Sequence, residues 1–150
     1  MRRGKWFFGA SLIFMIPMTG GRSPAPGLEH HHPQTRAVAV DGGGAYTDVN
    51  AAGLADMLRE KTFPLINVHI PYEGEIEGTD LVIPFDQVAA NVGKLPSDKN
   101  AKIVLSCRSG AMSATAASAL VRAGYTNVWN LGGGMLAWTQ AGYRLIHKSR

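Results

Sequence analysis

The sequence predicts an α/β fold: a mostly parallel sheet of about five strands with helices on both faces. Three observations carry this expectation. Short apolar, strand-like runs alternate with helix-like runs from Tyr46 onward, the order that buries a parallel sheet between helix layers. Glycine-rich turns close several of those runs, most plainly Gly132-Gly133-Gly134. A chain of 150 residues, 45% hydrophobic, holds one cored domain with room for a leader segment.

The leader comes first. Arg2, Arg3 and Lys5 precede a mostly apolar run, Trp6 to Met18, shorter than the ~18–20 residues of a spanning helix. Pro17 and Thr19-Gly20-Gly21 then break it, the layout of a secretory signal or uncleaved anchor over residues 1–21. This predicts export, to the periplasm or to an outward-facing membrane position. Residues 22–45, rich in Pro, Gly, Ser and His, read as a flexible linker with one small apolar patch, Ala37-Val38-Ala39-Val40. His30-His31-His32 lacks a carboxylate or cysteine framework and reads as an incidental polar tract rather than a metal site.

The folded domain is expected over residues 46–145, with 146–150 as a tail. Tyr46 to Val49 is a strand candidate, and Asn50 suits the N-cap of a helix to about Lys61 whose Leu54, Met57 and Leu58 form an apolar stripe. Phe63 to His69 reads as a buried strand, followed by the acidic loop Glu73-Gly74-Glu75-Ile76-Glu77-Gly78. Leu81 to Ile83 is a short strand ended by Pro84, and Phe85 to Val92 reads as a helix. Lys102 to Ser106 is the next strand, Ala111 to Ala123 a helix, Tyr125 to Leu131 a strand, and Met135 to about Ala141 the last helix.

Chemistry concentrates where the Ile103–Ser106 run meets the helix that follows. Cys107 is the only cysteine, so no intrachain disulfide and no cysteine-rich zinc pattern is available. Most free cysteines are small buried hydrophobes. An inert core position, however, has no need of Arg108, Ser109 and Gly110 directly after it. Placed at a strand end below a helix N-terminus, the sulfur gains from the helix dipole and unpaired N–H groups, which favour the nucleophilic thiolate. Arg108 adds a fixed positive charge, and Gly110 allows a turn tight enough for an anion-binding nest. In open α/β sheets ligands gather at strand carboxyl ends. His69 and Glu73 therefore become candidates for the rim of the same cleft, although an isolated histidine is more often a polar strand-end residue.

Net charge does not point to nucleic acid. The formal charge is +4, but without Arg2, Arg3 and Lys5 the balance falls to +1, and no basic face interleaved with aromatics follows. Membrane contact is expected only through the N-terminal segment.

Together these residues resemble the rhodanese homology domain over roughly residues 45 to 145. Cys107-Arg108-Ser109-Gly110-Ala111-Met112-Ser113 is similar to that family's six-residue active loop. Ala123 to Trp138, with Gly124-Tyr125, Val128, Leu131-Gly132-Gly133 and Ala137-Trp138, is similar to its second signature. Asn67, Val68, His69, Pro71 and Glu73 hold the places of a weaker third motif. The resemblance implies sulfur transfer from thiosulfate or a persulfide to a thiol or cyanide through a Cys107 persulfide, with no cofactor and no metal. Residues Arg108 to Ser113 would bind the substrate, which is a small molecule or a protein-borne persulfide.

Three departures bear on substrate. Met112 stands where the family's loop often has a second basic residue. Asn67 and His69 replace a commoner Asp and Arg, removing an expected ion pair, and Glu75 and Glu77 add acids near the cleft. These changes predict poor use of thiosulfate relative to a persulfide. The alternative is non-enzymatic: a sulfur-carrying or protein-binding domain that uses the acidic loop as its surface. A phosphatase or arsenate reductase is disfavoured, because its cradle needs an arginine six residues after the cysteine, and Ser113 is there. An exported lone thiol with no resolving cysteine is also exposed to oxidation unless its loop or a persulfide protects it.

Overall fold

The computed structural model describes residues 32–149. The leader at 1–21, residues 22–31 of the linker, and His30 and His31 lie outside the described residues. Eight strands and three helices follow in the order β1 (Thr35–Ala39), β2 (Ala45–Val49), α1 (Ala51–Arg59), β3 (Leu65–Asn67), β4 (Glu75–Ile76), β5 (Leu81–Val82), β6 (Ile103–Ser106), α2 (Ala111–Arg122), β7 (Val128–Leu131), α3 (Gly134–Gln140) and β8 (Leu145–Ile146).

The main sheet has six strands in the order β1-β2-β7-β6-β3-β5. Its β2, β7, β6, β3 and β5 run parallel, and only β1 is antiparallel, against β2. Central strands of a parallel sheet are covered on both faces and read as continuous apolar runs. Ile103, Val104 and Leu105 of β6 are accordingly all at 0% exposure. Alternate side chains feed two cores. Leu105 and Ile66 join Ala116 and Leu120 of α2 on one face; Val104 and Leu65 join Leu54 of α1 and Met135 and Trp138 of α3 on the other. The result is the expected three-layer α/β architecture.

Local chemistry explains the helix starts. The Asn50 side chain accepts from the Gly53 amide at 2.9 Å and caps α1. The helix α2 is alanine-rich, and its Ala116, Ala117, Leu120 and Val121 form one buried stripe. Burial of Leu120 alone contributes about 1.5–3 kcal/mol.

The structure departs from the sequence expectations in three places. Residues 35–39, inside the segment read as flexible linker, form β1, which pairs with β2 along its length and is tied there by Arg36–Asp48 at 2.8 Å. The sheet therefore gains a sixth strand. The run Phe85 to Val92 is not an α-helix: it forms turns that lead into 3-10 geometry over 89–94, with no side-chain cap and Asn91 outside helical angles. Val88 is nonetheless fully buried, with Phe85 and Val92 packed against the same core, so the apolar spacing serves anchoring rather than helix propagation. Finally, Ile146 pairs with Glu75 in a small β4–β8 sheet, and Lys148 forms an ion pair with Glu75 at 2.6 Å, so these residues of the expected tail are held on the domain.

Candidate active site

Sheet register assembles the site. Asn67 of β3 stands beside Ser106 of β6, and Leu105 of β6 beside Asn130 of β7. The three segments that leave these parallel strands therefore emerge side by side: His69 to Glu73, Cys107 to Ser113, and Gly132 to Gly134. The strand ends that carry the sequence's candidates are neighbours in the sheet.

Cys107 is 1% exposed. Its Sγ accepts from the Gly110 amide at 3.1 Å and from the Ser113 hydroxyl at 3.3 Å. Gly110 has φ +92°, a left-handed conformation that turns its N–H back toward the sulfur and starts α2. The Ser113 Oγ also lies 3.2 Å from the Gly110 carbonyl, so its one proton is shared between that oxygen and the sulfur. Arg108, Ser109 and Ala111 are exposed around this centre, while Met112 is partly buried against the core. Donors aimed at an anionic position from a preformed loop stabilise negative charge without having to reorganise.

A second layer supports the loop from behind. The Met135 amide donates to the Cys107 carbonyl at 2.8 Å, and the Leu136 amide to the Arg108 carbonyl at 2.9 Å. These first-turn N–H groups of α3 would otherwise lack partners. Gly134, at φ +59°, makes the approach possible: a Cβ there would collide with the carbonyl oxygens of Cys107 and Arg108. The sequence analysis did not identify these supporting groups. Their signal was the glycine run ahead of a helix, a run that close backbone approach explains.

At the rim, one carboxylate oxygen faces two partners. Glu73 Oε2 lies 3.3 Å from Arg108 Nε and 3.3 Å from His69 Nε2. His69 is buried, at 7% exposure, so Glu73 rather than His69 forms the rim. Neither ring nitrogen of His69 has a hydrogen-bond partner of good geometry. Asn67, fully buried, donates to the Gly74 carbonyl at 2.9 Å and accepts from the His69 amide at 3.0 Å, so a neutral amide braces the loop. Glu75 and Glu77 separate in role. Glu75 is fully buried and paired with Lys148, while Glu77 is exposed.

A cleft of about 470 Å³, lined by Met57, Phe63 and Lys102 among others, lies toward the opposite strand ends and does not include Cys107. Among the described residues, no group of three His, Cys, Asp or Glu side chains is placed to hold a metal ion. No helix among them is long and apolar enough to cross a membrane.

Comparison with known proteins agrees with this geometry. Residues 50–141 match the family model of the rhodanese-like domain. A sulfurtransferase of Allochromatium vinosum is 35% identical over 66 residues, 44% of this chain, and the match spans 60% of that protein's length. A rhodanese-like domain protein from Staphylococcus aureus has a similar structure, with TM-score 0.56 and 28% identity over 68% of this chain and 98% of its own. A rhodanese-related protein from Thermoplasma volcanium gives 0.57 and 26% over 67% and 98%.

Proposed function

This chain belongs to the rhodanese-like domain family, and on that footing we propose that it is a sulfurtransferase that carries sulfane sulfur on Cys107. The observation behind this reading is the pair of donors, Gly110 N–H and Ser113 O–H, converging on Sγ at the end of β6. With thiosulfate as donor, the Cys107 thiolate attacks the outer sulfur, the S–S bond breaks, and sulfite leaves with the electron pair. The product is Cys107–S–S⁻. A persulfide donor reacts in the same way and releases its thiolate.

In the second step an acceptor thiolate or cyanide attacks the terminal sulfur and restores the Cys107 thiolate. This is covalent catalysis in two steps, and neither step needs a general base from the protein. The Gly110 amide and the Ser113 hydroxyl face the charge that both steps place on sulfur.

A second reading, a non-catalytic sulfur carrier or partner-binding domain, draws on one observation. Ile70 and Leu136 are large apolar side chains left exposed, the first on the segment that carries Glu73 and the second on the α3 turn bonded to Arg108. Turnover separates the two readings. Purified protein supplied with a sulfane donor and cyanide forms thiocyanate over many cycles if it is an enzyme, and a Cys107→Ser variant forms none. At most one equivalent per chain supports the carrier.

Export through residues 1–21 belongs to the same proposal. Fractionated cells should show the protein outside the cytosol, and a full-length cytosolic pool would count against it.

A further inference from the structure

We propose that Glu73 determines donor specificity by holding its carboxylate against Arg108, which turns the site from dianionic thiosulfate toward organic sulfane donors of single negative charge. The inference rests on the sulfur-transfer reading above and names the donor class for it. Arg108 is the only cationic side chain between Cys107 and Ser113. Its Nε lies 3.3 Å from Glu73 Oε2, so a negative charge already stands beside the cation that would pull an anion toward the sulfur. Met112, the other long side chain of the loop, is neutral and packs against the core.

The segment that carries this carboxylate is also braced. The buried His69 ring stands behind it, with Nε2 3.3 Å from the same oxygen. The Asn67 amide fixes the backbone at both ends of this segment, through the His69 N–H and the Gly74 carbonyl. The backbone that carries Glu73 is thus braced, while its exposed side chain reaches Arg108 and the edge of the buried ring.

Two exposed apolar side chains belong to the segments that carry or brace the ion pair. Ile70 follows His69 directly, and the amide of Leu136 is bonded to the carbonyl of Arg108; both side chains are exposed, at 37% and 44%. A rim whose cation already faces a carboxylate, with exposed apolar side chains on the same segments, suits a donor with a hydrocarbon body and one charge. A small dianion gains little there and meets a carboxylate on entry.

Two small donors test this, because they deliver the same outer sulfur but differ by one charge. Thiosulfate carries two negative charges and releases sulfite; methanethiosulfonate carries one and releases methanesulfinate. Each reacts with the Cys107 thiolate to give Cys107–S–S⁻, with charge conserved. Removing one negative charge at the rim acts twice as strongly on the dianion, in logarithmic terms. Glu73→Gln should therefore raise kcat/KM about tenfold for thiosulfate and about threefold for methanethiosulfonate at low ionic strength.

Both gains should shrink toward unity near 1 M salt, where the screening length is about 3 Å. Because Glu73 is exposed, the variant is expected to fold. A donor ratio that stays at the wild-type value, whether both rates rise or fall together, overturns the proposal. Wild-type protein that takes sulfur from neither donor, judged by its mass, overturns the sulfur-transfer reading and this inference with it.

Discussion

The amide of Met135 donates to the carbonyl of Cys107 at 2.8 Å, so the first turn of α3 holds the backbone of the nucleophile in place. With its carbonyl tied backward, Cys107 presents its sulfur to the opposite side, where Gly110 N–H and Ser113 O–H meet it. The second glycine run and the cysteine loop thus form one unit, although residues 114–131 lie between them in the chain.

Gly134 should be the least replaceable glycine of this unit. Gly134→Ala forces a left-handed residue and drives a methyl group into the carbonyls of Cys107 and Arg108. Unfolding in urea should show a loss of about 3 kcal/mol or more. The control is Gly124→Ala, also left-handed at φ +92° but with nothing within 4 Å of the new methyl; it should cost only about 1–2 kcal/mol. Equal losses at the two sites would mean that α3 does not press on the loop.

Ser113→Ala removes one of the two donors to Sγ and leaves the α2 backbone intact. A hydrogen bond to a charged group contributes roughly 1.5–3 kcal/mol, so the rate of sulfur loading should fall at least about tenfold in single-turnover measurements. Ser113→Thr, which keeps a hydroxyl, should recover part of that rate. A Ser113→Ala rate within twofold of wild type would leave Gly110 as the sole significant donor.

Lys148→Met leaves the fully buried Glu75 carboxylate without its 2.6 Å ion-pair partner. Lys148 is itself half-exposed, so water screens the pair, and the expected cost is about 1–2 kcal/mol in urea unfolding. Lys148→Arg should lie close to wild type. No measurable change in Lys148→Met would show that the Lys148–Glu75 pair adds nothing to the stability of the domain.

These contrasts follow what was legible in the sequence. The cysteine loop could be read because its determinants are local: apolar β6, Cys107, Gly110 and an alanine-rich helix fall within consecutive residues. Asn50 was legible for the same reason. Strand β1 was not, because its side chains are almost all exposed and it is held by backbone pairing with β2 and by Arg36–Asp48. The strands β4 and β8 have two residues each and exist only through pairing between distant segments. The run Phe85 to Val92 shows how spacing misleads: Phe85, Val88 and Val92 reach one core from turns and 3-10 geometry, where an α-helix had been expected. At the site, the meeting of Glu73 with Arg108 depends on β3 lying next to β6, a fact of sheet order that spacing along the chain does not contain.

The most direct test is the mass of the intact protein after incubation with a sulfane donor and removal of excess reagent. The account predicts a gain of one sulfur atom, located on the peptide that contains Cys107, lost on adding cyanide and absent from Cys107→Ser. Wild-type protein that gains no sulfur, or a Cys107→Ser variant that gains as much, would contradict it.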